Sequence, residues 1–313
     1  MGEHPLLSIA IPVFNGAGEI SRTLRALGGL KDASVEVLIS DNASEDGTVQ
    51  EVETFTAGSL ISMKIYKQQS NLGFRGNLKF LTSMANGDFI WFLGAGDSVS
   101  AYDVIKVLEN IALNSETSNF VLRGEIAGQK VPAISGIGST NLDLEPFDDA
   151  VSCNIIKRTL VLELPEVGTG NSWPHIEAAL LGHSRDCKVI RDDAISIIIF
   201  PNKSGWWYQS PLAWQIYLDK VWLIAVFQRV NGTSSWSSNL LHKMRGSQFG
   251  LMIFETRKND VGFSSKDLTY ARYCGIALHY ALAARVANFV PAALFRASST
   301  IRRKLGHQGL LAQ

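Results

Sequence analysis

The sequence predicts an α/β fold with a mostly parallel central sheet, followed by a helical appendage. Three observations carry this reading. Near-continuous apolar strands alternate with amphipathic helical patterns through the first half of the chain, as expected for a sheet covered on both faces. A polar cluster follows each of the first four strands, at the sheet edge where open α/β sheets collect ligands. From about residue 210 onward only helical patterns remain.

The apolar run LSIAIPVF makes a first strand at 7–14; NGAGE follows, then a helix over about 17–29. A second strand, VEVLIS at 35–40, leads into DNASEDGT, where Ser44 and Asp46 offer caps for a helix over about 46–57. The third strand is SMKIYKQ at 62–68; NLGFRGN comes next, then a helix over about 74–85. The fourth strand, DFIWFL at 88–93, stops at GAGDS, and Ser98 or Ser100 caps a helix over about 100–114. The second half is less regular. It reads as strand NFVLRGEIA at 119–127, a polar Gly-rich stretch to about 150, strand VSCNIIK at 151–157 and helix RTLVLEL. Loop PEVGTGNS, helix WPHIEAALLG and strand DDAISIIIF complete it. Helices then run to about 305, which divides the chain into a domain over 1–205 and a helical region over 206–313.

With 46% hydrophobic and 19% charged residues, the 313-residue chain can bury a large core. Its 29 basic and 29 acidic residues cancel, so no global field recruits nucleic acid. The charge is unevenly placed, however. Residues 268–313 hold Arg272, Arg285, Arg296, Arg302, Arg303 and Lys304 and no Asp or Glu, which suits either a solvated helix end or an anionic membrane surface. Cys153, Cys187 and Cys274 have no metal-ligand or disulfide spacing, as expected of reduced thiols in a cytoplasmic protein. The first residues lack a basic leader and run straight into a strand, unlike a signal peptide. IALHYALAARVANFVPAALF is long enough to span a membrane, but His279, Arg285, Asn288 and Pro291 interrupt it, so packed or in-plane helices are expected.

Four loops meeting at one sheet edge suit a nucleotide. Asp41, after the second strand, is placed to accept a hydrogen bond from a base, or else to shape the turn; Pro12, Phe14 and Asn15 would line base and ribose. In NLGFRGN the glycines allow close backbone approach, and Arg75 is a fixed positive charge suited to a diphosphate. Neither a GxxxxGK[ST] loop nor a GxGxxG after the first strand is present, which weighs against triphosphatases and dinucleotide dehydrogenases. GWWYQ at 205–209 places three aromatics in a loop, as a sugar platform or a hydrophobic hinge.

The ordered set SIAIPVFN, VEVLISDNASEDGT and NLGFRGNLKFLTSMANGDFIWFLGAGDS resembles the family 2 glycosyltransferases of GT-A fold, and within them the abequosyltransferase-like enzymes of bacterial O-antigen assembly. The resemblance is strong over 6–110, fainter over 150–200 and absent beyond about 210. It implies that Asp41 reads the base, that PVFN holds base and ribose, and that Asn71, Gly73 and Asn77 lie beneath the diphosphate. The family's arginine before the final Asn is Gly76 here, with Arg75 displaced by one. The family's acidic metal turn is Gly94, Ala95, Gly96 and Asp97. Asp97 is then the single candidate in that turn for holding Mg2+ or Mn2+ with the help of phosphate oxygens and water, or else a helix cap. A late helix supplies the proton acceptor in inverting members, and His175 and Glu177 stand at that place.

The expected function is transfer of a sugar from a nucleoside-diphosphate donor to a hydroxyl of a glycan or lipid-linked oligosaccharide in bacterial surface polysaccharide synthesis. The expected location is the cytoplasm, peripheral on the inner face of the cell membrane. Two rivals stand beside it: a degenerate nucleotide-sugar-binding protein, and a sugar-1-phosphate nucleotidyltransferase, which wants a basic Gly-rich loop where NGAGE has no Lys or Arg.

Overall fold

A computed structural model describes residues 4–56, 63–127, 137–139, 146–148, 150–165, 173–200 and 212–296. The chain forms two compact units, Met1–Asn202 and Lys203–Gln313.

The first unit is built on strands β1 (Leu7–Val13), β2 (Val35–Asp41), β3 (Met63–Lys67), β4 (Phe89–Phe92), β5 (Thr117–Ile126), β6 (Ile137–Ser139), β7 (Asn154–Lys157) and β8 (Lys188–Ile199). They form one sheet in the order β3-β2-β1-β4-β7-β5-β8-β6. β1 to β4 are mutually parallel, in register Leu7 with Val35 and with Phe89. Their crossovers are α1 (Ile20–Leu27), α2 (Thr48–Thr56) and α3 (Gly73–Met84), with α4 (Ala101–Leu113) following β4. Alternate strand residues feed two cores. Leu7, Ile9, Ile11, Val37, Ile39 and Trp91 pack against Ile20, Leu24, Val104 and Ile111 on one face. On the other, Ala10, Leu38, Ile90 and Phe92 meet Leu78 and Leu81 of α3. Burial on both faces is why these strands read as unbroken apolar runs.

The sheet is mostly parallel, as the sequence predicts, and its antiparallel pairings all involve β6 or β7. β7 is antiparallel to both β4 and β5, and β6 is antiparallel to β8. A parallel neighbour needs a crossover element, and no helix stands between β5 and the 3-10 turn Val151–Cys153 among the described residues. That turn takes the first three residues of the strand expected at 151–157. β8 begins four residues ahead of its expected start at Asp192, and β6 has no counterpart in the sequence reading. After β7 come α5 (Arg158–Leu162) and α6 (Pro174–His183), and because β7 has already reversed the chain, β8 runs parallel to β5.

The second unit is helical: α7 (Ala213–Asn231), α8 (Ser235–Arg245), α9 (Ser247–Lys258), α10 (Ser265–Tyr273) and α11 (Leu278–Ala287). Trp214 anchors its core, with ring centroids 4.6 Å from Phe263 and 5.3 Å from Phe249. Ser234 and Ser264 close capping boxes on α8 and α10. Among the described residues no helix is long and apolar enough to cross a membrane. GWWYQ, Arg302, Arg303 and Lys304 lie outside the described residues.

Candidate active site

The carboxyl ends of β1 to β4 bring Phe14, Asn15, Asp41, Asn71 and Asp97 to one edge of the sheet, in the loops that follow the strands. The β1–α1 loop is tied down by the β2–α2 loop. The amides of Asn15, Gly16, Ala17 and Gly18 donate to Ser44 Oγ, Thr48 Oγ1, Asp46 Oδ2 and the Glu51 carboxylate at 2.8–3.0 Å. Asn15 adopts φ 50° and accepts from the Glu45 amide at 2.9 Å. Every amide of this turn is therefore spent on an oxygen of the protein itself, two of them on carboxylates.

Asp41 ends β2 and is 2% exposed. Its Oδ2 accepts from the Ser44 amide at 3.1 Å, while its Oδ1 is buried and has no hydrogen-bond partner among the described residues. Beside it, Asn42 links two loops that sequence reasoning left separate. Its Nδ2 donates to Asn71 Oδ1 at 2.9 Å, and its Oδ1 accepts from the Leu72 amide at 2.8 Å. Asn71 Oδ1 also takes the Gly73 amide at 2.8 Å, and Gly73 sits at φ +70°, a conformation natural to glycine. Asn77, 2% exposed, donates from Nδ2 to the Ser40 carbonyl at 3.2 Å. Its Oδ1 and Arg75 Nε are buried without partners as well. Such orphans are rare in folded proteins, and three of them belong to this one group of predicted site residues. Pro12 is part-buried, and Phe14 stands 49% exposed just past the end of β1.

Arg75, expected at a diphosphate, has other partners. It is 7% exposed; Nη1 pairs with Glu177 Oε2 at 2.7 Å, and Nη2 donates to the Pro165 carbonyl at 2.8 Å. This brings the NLGFRGN helix and the first turn of α6 together, with His175 2% exposed and its ring centroid 5.9 Å from that of Trp173. The contact spans 102 residues of sequence.

Asp97 is equally engaged. Its Oδ2 accepts from the Ser152 hydroxyl at 2.6 Å and its Oδ1 from the Phe200 amide at 3.2 Å. Ser152 Oγ also takes the Gly94 amide at 2.9 Å. Thr23 Oγ1 accepts from the Gly96 amide and donates to the Asp97 carbonyl, and Arg22 donates to the Gly96 carbonyl at 3.1 Å while lying 4.0 Å over the Phe200 ring. Burial raises the Asp97 pKa to about 6 against the hydrogen bonds of Ser152 and Phe200, with Arg22 also opposing and Glu19 assisting. Glycine at 94 is required by this fold-back, because a Cβ there would stand 2.8 Å from Asp97 Oδ2; Gly96 takes φ +101°. Among the described residues no three His, Cys, Asp or Glu side chains gather as a metal cage. Asp97 is the one carboxylate of this turn and each of its oxygens accepts one hydrogen bond from the protein, so a cation here would take most of its oxygen ligands from elsewhere.

Residues 8–133 match the family model described as Glycosyl transferase family 2. Over 107 residues the chain is 32% identical to the abequosyltransferase RfbV of Salmonella typhimurium, covering 33% of this chain and 32% of that one. The chain thus matches about a third of the length of this curated relative. Among solved structures it is similar to S. aureus TarS 1-349 in complex with UDP-GlcNAc, with TM-score 0.62, 14% identity and coverage of 90% of this chain and 89% of that one. It is also similar to the mannosyltransferase PcManGT from Pyrobaculum calidifontis in complex with GDP-Man and Mn2+, with TM-score 0.58, 15% identity and coverage of 96% and 84%. At these identities the two structures show the fold, the GT-A arrangement.

Proposed function

We propose that this chain, whose residues 8–133 match the Glycosyl transferase family 2 model, is a family 2 glycosyltransferase. In this reading it moves a sugar from a nucleoside-diphosphate donor to a hydroxyl of a lipid-linked glycan of a bacterial surface polysaccharide. The observation that carries the reading is the buried, unpartnered Oδ1 of Asp41 at the carboxyl end of β2. A ring N–H or exocyclic amine of a base would complete it, with the exposed ring of Phe14 as an apolar surface beside the base. The hydrogen bonds of Asn42 fix the β2–α2 loop to Asn71 and Gly73, so base and diphosphate would meet a single preorganised surface.

In the transfer the acceptor oxygen bonds to the anomeric carbon, and the electron pair of the broken bond leaves with the nucleoside diphosphate. The hydroxyl proton needs a base. Glu177 is committed to Arg75, which leaves His175, one helical position after Pro174, as the candidate. Arg75 and Glu177 act as positioning residues that hold α3 against α6. A divalent cation, such as the Mn2+ in the PcManGT complex, would here be held chiefly by donor phosphates and water. The work would take place at the inner face of the membrane, where lipid-linked acceptors are held.

A nucleotidyltransferase would aim a triphosphate at the β1–α1 loop, whose four amides are already bonded internally, two of them to carboxylates. A binding protein without turnover is favoured by one observation, the internal engagement of Asp97. A thermal-shift panel of UDP-, GDP-, CDP- and dTDP-sugars separates these readings when nucleoside diphosphate release is followed in parallel. One donor should raise the melting temperature and be slowly consumed. Binding without consumption would favour the binding protein, and no response to any of the four would overturn the transferase reading.

A further inference from the structure

We infer that α11, with Phe289 just past its end, forms a docking surface for an anionic lipid bilayer, on which the helix lies in the plane of the interface. The helix is inverted relative to an ordinary surface helix. It turns Ala281, Ala284 and Ala287 inward at 0%, 1% and 7% exposure, and turns Leu278, Leu282 and Val286 outward at 52%, 45% and 63%. Leu278, Leu282 and Val286, four residues apart, share one face of the helix, and Phe289, two residues past its end, is 88% exposed. A water-facing helix places its large apolar side chains the other way, because each one left exposed forgoes its burial free energy.

Charge identifies the occupant. Among the described residues from Leu268 onward, Arg272, Arg285 and Arg296 are cationic and none is Asp or Glu. Arg285 adjoins the apolar row and hydrogen-bonds to Ser265 of α10. Arg272, with Leu268, Thr269, Tyr273 and Leu278, lines an open cleft of about 500 Å³ at the start of the same row. Apolar side chains edged by cations, with a guanidinium in a cleft beside them, match acyl chains beneath phosphate headgroups. A second copy of this chain would bring the same cations face to face. The inference gives a surface to the membrane location in the reading above, and its test does not need a donor.

The test is co-sedimentation of the full chain with phosphatidylglycerol/phosphatidylethanolamine vesicles and with phosphatidylcholine vesicles. The wild type should pellet with the anionic vesicles, less so as salt rises, and stay in solution with the neutral ones. A Leu282→Ser/Val286→Ser/Phe289→Ser variant should partition on the order of 100-fold less, with an unchanged melting temperature. Phe289→Ser alone, at the most exposed of these positions, should show a smaller loss and guards against a folding failure in the triple variant. Wild-type binding by both variants, or no binding by the wild type, overturns the inference. A wild-type dimer that the triple variant turns into a monomer would overturn it too, by giving the face to a second copy. Vesicle binding by a chain that answers no nucleotide sugar would leave this inference standing and remove the transferase reading.

Discussion

Two aspartates close neighbouring parts of the same sheet edge, and they are treated in opposite ways. At the end of β2, Asp41 is buried with one oxygen capping Ser44 and the other without a partner. After β4, Asp97 has a hydrogen bond on each oxygen and its neighbouring backbone braced by Thr23, Arg22 and Ser152. A buried acceptor left open is costly unless something outside the chain fills it, whereas a filled acceptor is already explained by the fold. In the proposed function the difference makes the β2 end the place of recognition, while the β4 turn is held by the protein's own hydrogen bonds.

The largest expected effect is at a second internally satisfied charge, the Glu177 partner of buried Arg75. Glu177→Ala leaves the Arg75 guanidinium inside the protein with the Pro165 carbonyl as its remaining acceptor, and should cost about 3–5 kcal/mol in urea unfolding. An unchanged midpoint together with lost transfer would move Glu177 from positioning to proton transfer.

The next effect concerns pH and Asp97. Its folded pKa, about 6, lies above the ordinary 3.8, so the folded state binds the proton more tightly than the unfolded one. The resulting stability is fully present below pH 3.8 and is lost as pH rises through about 6, amounting to about 2–3 kcal/mol. Asp97→Asn removes the titration. Its stability should therefore lose this slope between pH 4 and 7 and exceed the wild type at pH 7, while nucleotide-sugar binding persists. A variant that keeps the slope, or loses donor binding, breaks the comparison at this end.

The smallest effect is the most specific. Asp41→Asn can keep the cap on Ser44 and present an amide N–H where the open acceptor stood. Donor affinity should fall about 10- to 100-fold by calorimetry with little change in melting temperature. A loss of stability without a loss of affinity would make Asp41 a turn residue.

Much of the parallel half was legible in the sequence, because strands buried on both faces announce themselves as unbroken apolar runs and the loops that follow carry the polar residues. Asp41 could be singled out for the same reason: it ends such a run. The partners of Arg75 and Asp97 could not be read, since Glu177 lies 102 residues away, Ser152 55 and Phe200 103. Local spacing identifies a charge at a strand end without saying whether the charge faces a ligand or the protein. The link that Asn42 makes to Asn71 and Leu72 could not be read from the sequence, because an Asx residue in a turn has several local uses. In α11 the apolar period was visible but its direction was not; alanines and leucines alternate around the helix, and only packing decides which set goes inside.

Gly94 limits how this turn can change. A side chain there would begin 2.8 Å from Asp97 Oδ2 and 3.3 Å from Ser152 Oγ. An acidic residue added at 94 by itself would therefore have to displace the Asp97 carboxylate, pushing two carboxylates together and disturbing the bond to Ser152. A mutational path toward an acid-rich turn has to loosen Asp97 first and pass through a less stable intermediate. The present arrangement is thus held in place by the order in which substitutions would have to occur, as well as by its own hydrogen bonds.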